Sequence, residues 1–232
     1  MFVLPDFNNQ QKMFDAGVNW HLMAPNNRFG RFIAHYEIMK MVKNVPGEII
    51  ECGVFKGESL NRFAHFRKLL GTDDTSKIIG FDNFSDEYPN TKYDEDQPQR
   101  KHWIETAGSS SIKVNQLSKV FDFHKFENYE FIAGDICKTV PEYFKKNPGI
   151  KVSLLNIDCD FVEPTYIALK TIWNHMSPGG IILLDNYGGW GTSGYSYFGD
   201  TKGTDDFLKE LDEKPIIKRF DWVSRPCYFI KN

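Results

Sequence analysis

Long apolar runs are missing from this 232-residue chain: nothing in it reaches the roughly 18 consecutive apolar residues that a membrane-spanning helix needs. Its opening, Met1-Phe-Val-Leu-Pro-Asp6, has neither the basic region nor the apolar core of a signal peptide, so the expectation is a cytoplasmic protein with no membrane partner. Cysteine is scarce. The four present, Cys52, Cys137, Cys159 and Cys227, show no C-x-x-C and no tight spacing, which argues against a disulfide framework and for reduced, buried thiols. The six histidines are scattered and none makes a ligand pair with a cysteine, which disfavours zinc. No charge of one sign dominates either: 28 Lys and Arg stand against 31 Asp and Glu, a net charge of −3. That leaves no electrostatic footprint for nucleic acid or an anionic membrane. Internal repeats are absent, and so is G-x-G-x-x-G, which disfavours a nicotinamide oxidoreductase.

What the chain does have is aromatic weight, 20 Phe and 10 Tyr among its residues, as in a packed globule rather than a disordered chain. The length fits one large domain, expected over residues 29–232. Residues 1–28 read as a polar, turn-rich extension, with Phe2, Phe14 and Trp20 as anchors onto the body or onto a neighbouring subunit of a homo-oligomer.

The stretch from Lys151 to Trp190 organises the rest. Val152 to Ile157 is a short apolar run that suits a strand covered on both faces. Pro164 fits the first turn of a following helix, in which Ile167, Leu169, Ile172, Trp173 and Met176 recur at helical spacing. Ser177-Pro-Gly-Gly180 ends that helix, and Ile181 to Leu184 forms a second strand running to Asp185-Asn186. Strand, crossover helix and strand make a right-handed parallel unit, so both acidic ends emerge at the carboxyl edge where open α/β sheets bind ligands. Asp158, Asp160, Asp185 and the amide oxygen of Asn186 converge there, hard oxygen donors suited to Mg²⁺ or another hard divalent ion. A lone strand-terminal Asp more often makes a turn or a cap; two such ends on adjacent strands favour a site.

The remaining elements fit the same scheme. Phe29 to Val42 reads as a leading helix stopped by Pro46-Gly47. Glu48 to Gly53 is a strand entering a turn with glycines at 53 and 57, and a helix follows through Leu60, Phe63 and Leu70. Glycines let the backbone approach a ligand, and the helix start offers free N–H groups; an ordinary tight turn is the alternative. Lys77 to Phe81 is a second strand ending at Asp82-Asn83, the place where nucleotide-type folds bind ribose hydroxyls, with capping as the alternative for Asp82. Tyr129 to Ala133 is a third, ending at Gly134-Asp135. Residues 84–108 read as an irregular acidic lid, and Ser109 to Phe123 as a helix. Residues 187–203 read as a second substrate loop, in which Trp190, Tyr195 and Tyr197 line a pocket. A helix through Phe207, Leu208 and Leu211 and two antiparallel strands, Ile216 to Phe220 and Cys227 to Ile230, close the chain.

Taken in order, Glu51-Cys-Gly-Val-Phe-Lys-Gly-Glu-Ser59, Gly80-Phe-Asp-Asn-Phe84, Gly134-Asp135, Ile157-Asp-Cys-Asp-Phe-Val-Glu-Pro-Thr165, Ser177-Pro-Gly-Gly180 and Leu184-Asp-Asn-Tyr-Gly188 resemble the macrocin and mycinamicin O-methyltransferase family over roughly residues 28–212. The resemblance implies an α/β, Rossmann-like class I fold, a mostly parallel seven-stranded sheet with helices on both faces and an antiparallel C-terminal strand. It also implies S-adenosylmethionine and Mg²⁺ as cofactors, and a sugar or glycoside hydroxyl as methyl acceptor. Glu51, Gly53, Gly57 and Ser59 would hold the methionine half of the cofactor, Asp82 with Asn83 its ribose, and Asp135 with Ile136 its adenine. Asp158, Asp185 and Asn186 would bind the metal. Asn186 stands where the family carries a second aspartate; Asp-Asn in that place is similar to the catechol and caffeoyl-CoA enzymes, but Phe161 occupies the position of their lysine. The general base is then Asp158 or Asp160, Asp158 being favoured because its strand lies beside the first strand of the nucleotide half. Amine or phenol methylation on the same scaffold, and a non-catalytic S-adenosylmethionine-binding protein, remain as alternatives.

Overall fold

The computed structural model describes residues 2–188 and 198–232, so Trp190, Tyr195 and Tyr197 lie outside the described residues. The elements in chain order are α1 (Gln10–Met23), α2 (Asn26–Val42), β1 (Glu48–Cys52), α3 (Glu58–Leu70), β2 (Ile78–Asp82), α4 (Gln97–Ala107), α5 (Val114–Phe123), β3 (Tyr129–Ala133), α6 (Ile136–Lys146), β4 (Val152–Ile157), α7 (Val162–Ile172), β5 (Met176–Leu184), α8 (Phe198–Lys209), β6 (Lys218–Phe220) and β7 (Val223–Ile230). The strands form one seven-stranded sheet in the order β3-β2-β1-β4-β5-β7-β6. The first five are parallel, and β7 runs antiparallel to both β5 and β6. This is the expected fold class.

Continuous burial along β2 and β4 explains why these strands read as apolar runs rather than alternating patterns, since helices cover both faces. On one face Ile50, Ile79, Leu155 and Ile182 pack with α6, α7 and α8 through Val140, Leu169 and Phe207. On the other, Ile49, Ile78, Leu154 and Ile181 pack with α2, α3 and α5 through Ile38, Phe63 and Phe121. The chain winds outward from β1 to β3 and then returns to β4, so the strand order reverses between β1 and β4. Ligands bind at the carboxyl ends flanking such a reversal.

Several boundaries differ from expectation, each for a tertiary reason. The leading helix begins at Asn26 rather than Phe29, and the extension before it carries a further helix, α1. Of the three proposed anchors, Phe2 joins the core and Trp20 packs on Phe29 at 4.4 Å, while Phe14 is exposed. Residues 84–108 are not irregular throughout: they contain α4, fastened by Arg100 to the carbonyls of Tyr88 and Pro89. The helix expected from Ser109 starts only at Val114, where the Gln116 side chain accepts from the Lys113 N–H. Ser177-Pro-Gly-Gly180 does not lie outside the sheet but within β5, because Gly179 and Gly180 exchange backbone bonds with Lys231. The closing strands are Lys218–Phe220 and Val223–Ile230, the second starting four residues early.

Gly53 decides how closely the turn after β1 approaches β4. Its φ is +94°, and a Cβ there would fall 1.9 Å from the carbonyl oxygen of Asp158. Neither atom can yield without parting β1 from β4. Gly53→Ala is therefore expected to lower stability by at least about 2 kcal/mol, combining overpacking with backbone strain, and urea unfolding of the two proteins measures it.

Candidate active site

Backbone bonds set the site's frame. Asp158 N–H donates to the Cys52 carbonyl at 2.9 Å and Asp185 N–H to the Ile157 carbonyl at 3.0 Å, so the ends of β1, β4 and β5 are laced together. Both carboxylates consequently stand at one edge, as the strand-helix-strand reading required. In front of them opens a cavity of about 800 Å³, within the range of small-molecule sites.

Of the cofactor residues expected from sequence, Gly53, Ser59, Asp82, Asn83, Asp135 and Ile136 line this cavity. Glu51 and Gly57 do not. Gly57 is the left-handed N-cap of α3. Glu51 is fully buried behind the turn, accepting the Asn156 amide at 2.7 Å. Asp82 serves the backbone as well as the cavity: its Oδ2 accepts from the N–H groups of Val54 and Phe55, and its Oδ1 from that of Phe84, all at 2.9 Å. The carboxylate thus closes the turn after β1 and the loop after β2 in one knot. Asp135 caps α6 by accepting from the Cys137 N–H at 3.0 Å.

The acidic edge is richer than the sequence indicated. The carboxylates of Asp158, Asp160 and Asp200 each offer an oxygen within 4.8 Å of the others. Asp200 comes from the first turn of α8, and its Oδ1 accepts from the Thr165 hydroxyl at 2.7 Å. Asp160 has φ +64°, left-handed for a residue with a side chain, and such strain is concentrated at functional sites. Three side chains hold it there: Tyr88 OH at 2.5 Å, Gln99 Nε2 at 2.9 Å and Asn186 Nδ2 at 3.3 Å. Asn186 Nδ2 also donates to Asp158 Oδ1 at 2.9 Å, while its Oδ1 accepts from Arg225 at 3.0 Å. Asp185, which lines the same cavity, is paired from α2. Arg31 Nη2 lies 2.8 Å from its Oδ2 and His35 Nε2 3.7 Å from its Oδ1. Among the described residues neither contact is an aligned hydrogen bond; the Arg31 contact is an ion pair by proximity.

Charge separates these groups into two sets. Burial, then the charges of Asp185 and Asp160, raise Asp158 well above the usual carboxylate range. Burial lifts Asp160 to about 6 against its Tyr88 hydrogen bond, and burial with the Asp160 charge lifts Asp200 to about 8. For Asp185 burial also acts upward, but the Arg31 charge, the His35 contact and Arg225 overcome it and hold the group below the usual range. His35, buried and stacked on Phe63 at 4.8 Å, is lowered to about 4 by burial, so it faces Asp185 as the neutral ring.

Sequence reasoning missed Arg31, His35, Tyr88, Gln99, Asp200 and Arg225. Arg31 and His35 stand four residues apart, on one face of α2, which is a legible signal; the other four reach the site only through tertiary folding.

A sheet of this order with a glycine turn at its reversal defines the class I, Rossmann-like methyltransferases. The macrocin-O-methyltransferase (TylF) family matches residues 7–219, and the chain belongs to that family. It is 26% identical over 154 residues to a tetracenomycin-C rhamnosyl 4'-O-methyltransferase of Streptomyces olivaceus, covering 63% of this chain and 55% of that one. The chain thus spans about half the length of that relative. Among solved structures, the calicheamicin methyltransferase CalS11 matches with a TM-score of 0.69 at 21% identity, over 96% of this chain and 87% of that one. The O-methyltransferase NovP matches with a TM-score of 0.68 at 19% identity, over 87% and 79%. These likenesses establish the fold.

Glu51 yields a test of this electrostatic map away from the acidic edge. Burial raises its carboxyl to about 8 against the opposing Ser59 and Asn156 hydrogen bonds. Between the ordinary glutamate value and about 8 the folded protein then holds a proton that the unfolded chain has released. Stability falls as pH rises through that window, with a slope of up to about 1.4 kcal/mol per pH unit. Glu51→Gln removes this contribution, so denaturant unfolding at pH 5 and pH 8 should show a smaller loss in the variant than in wild type. Equal losses would mean that Glu51 is ionised in the folded protein.

Proposed function

We propose that the protein is an S-adenosylmethionine-dependent O-methyltransferase acting on a hydroxyl of a sugar or glycosylated small molecule, assisted by a divalent cation. The observation that carries this reading is the junction, in one cavity, of the glycine turn Gly53–Ser59 with the acidic edge at Asp158, Asp160 and Asp185, to which Asp200 adds a carboxylate beside Asp158 and Asp160. Family membership supports the reaction type. The sugar acceptor is supported by the Streptomyces olivaceus relative, whose name assigns it a rhamnosyl 4'-hydroxyl.

The turn half of the cavity fits the cofactor. Gly53 leaves the backbone open to close approach, Ser59 and the start of α3 face the same space, and Asp135 with Ile136 forms the opposite wall. Asp82 holds the turn in shape through its backbone bonds and is positioned to meet the ribose. The acidic half fits a hard cation, since oxygens of three carboxylates, Asp158, Asp160 and Asp200, lie within 4.8 Å of one another, a hard-donor set of the kind such ions take. Such an ion supplies Lewis acidity to the acceptor hydroxyl and orients it.

The proton goes to this chain's own carboxylates. Both oxygens of Asp160 already accept from Tyr88, Gln99 and Asn186, whereas Asp158 accepts through Oδ1 alone among the described residues. Asp158 Oδ2 is therefore free to take the hydroxyl proton as the oxygen attacks the methyl group, and Asp160 serves to position it. Tyr88 and Trp103 wall the acceptor side and exclude water. Asp158→Asn should lower kcat about 10²–10⁴-fold while S-adenosylmethionine affinity stays near wild type. Labelled methyl transfer to a panel of glycosides, nucleotide sugars and catechols, with and without EDTA, tests the reading together with calorimetry of cofactor binding. No cofactor binding would overturn it, and transfer to catechols alone would replace the acceptor class.

A further inference from the structure

We infer that α1 is a dimerisation helix, whose apolar face packs against the same helix of a second copy of this chain across a two-fold axis. This goes beyond the methyltransferase reading and does not depend on it.

Helix α1 buries none of its residues. Every residue from Gln11 to Asn19 is exposed, although the segment is held at both ends. Ahead of it Phe7 stacks on Phe123 at 4.7 Å, and the Asn9 side chain caps it by accepting from the Lys12 N–H at 2.9 Å; near its end Trp20 packs on Phe29 at 4.4 Å. A helix of 14 residues is marginal in water on propensity alone and takes its stability from packing an apolar face. That face is present and uncovered. Phe14, Val18 and Leu22 recur at i, i+4 and i+8, which makes them one stripe, and they are 68%, 39% and 78% exposed. Ile33 and Trp222, 47% and 52% exposed, extend the apolar surface beside the Trp20–Phe29 contact, where the Trp222 indole donates to the Gly30 carbonyl at 3.4 Å.

Shape, area and charge together select a second copy as the occupant. Gly17, beside Val18 at the middle of α1, has nothing within 4 Å of where its Cβ would be. Nothing in the chain itself therefore requires a glycine there, and it weakens the helix; close approach of another helix gives it a use. Phe14 and Leu22 flank the small pair Gly17 and Val18. In an antiparallel pair each copy's Phe14 lies against the other's Leu22 and the small residues cross at the axis, so the face is complementary to itself, as an isologous contact demands. The five exposed side chains present on the order of 500 Å² of apolar surface, taking roughly 150–250 Å² for a large side chain fully exposed. Facing a second copy doubles that to about 1,000 Å², the threshold for a specific interface before its polar rim is added. Lys12 and Asp15 are the only full charges on α1, so the helix matches neither an acidic nor a basic partner and lacks the Lys- and Arg-rich polar face of a helix lying on a membrane. Pairing also anchors the chain just ahead of Pro25, Asn27 and Arg28, which line the cavity.

Sedimentation velocity of the full chain at micromolar concentration tests the pairing. Wild type should sediment as a dimer. Val18→Glu sets two like charges face to face at the axis and should weaken association by about 100-fold or more, whereas Ala16→Glu, on the opposite side of the helix, should stay within about threefold of wild type. Gly17→Leu favours the isolated helix yet fills the crossing point, so helix content and association should move in opposite directions. Circular dichroism should show all three variants folded, because α1 buries nothing in the body. Oxidative cross-linking gives the answer without an added charge: a disulfide-linked dimer of Val18→Cys supports the inference, and its failure to link sinks it. Monomeric wild type, a dimer that survives Val18→Glu, or open assemblies larger than a dimer would overturn the inference, as would flotation of wild type with phosphatidylglycerol vesicles that Val18→Glu abolishes.

Discussion

Four aspartates gathered at one sheet edge, with solvent largely excluded, are the constraint on which the rest of this structure depends. Two ionised carboxylates with oxygens within 4.8 Å of each other would repel by about 3 kcal/mol or more even at an effective dielectric of 20, and desolvation adds to that. No fold would collect such charges for stability alone. The protein divides the cost: Asp185 is neutralised from α2 by Arg31, while Asp158 and Asp160 share the Asn186 amide and Asp200 leans on Thr165. What is left over is negative potential aimed at a cavity, and that surplus is what a cation and an acidic hydroxyl proton can use.

The same constraint explains the covering segments. Helix α2 precedes the first strand and plays no part in the sheet, yet it delivers Arg31 and His35 to the end of β5. Tyr88 and Gln99, from the segment after β2, close over Asp160 from the opposite side. Arg225, near the start of β7, reaches the edge because β7 runs antiparallel beside β5. Three elements distant in the chain thus meet on two strand ends. Removing any of them would leave a buried charge or donor without its counterpart, which costs more than the contact itself contributes.

The central unit was legible because its physics is local. Apolar runs covered on both faces, Pro164 in a first helical turn and carboxylates just past two strands leave a pattern that needs no knowledge of the rest. Glycine at position 53 was legible for the same reason, although the cause, a carbonyl oxygen of Asp158 lying where a Cβ would be, was not. Helix α4 was missed because its apolar pattern is thin and its hold on the body runs through Arg100 to two carbonyls. Glu51, expected among the cofactor residues, lies outside the cavity lining, where it accepts from Asn156, its in-register neighbour on β4.

The sequence by itself determined the strand order's raw material, the position of both acidic strand ends on one edge, and the family, because hydrophobic period and turn chemistry act over a few residues. Only the tertiary structure decided which carboxylates face each other and which face arginine. Asp160 and Asp200 are separated by a helix and a strand, and Arg31 is far in sequence from Asp185. Side-chain pairing across such distances depends on register, on where α8 can start against the Asp160–Phe161 backbone, and on which amide face of Asn186 the Arg225 guanidinium selects. None of these leaves a periodic trace in the chain, since each is settled by close packing and Coulomb energy after the backbone has folded.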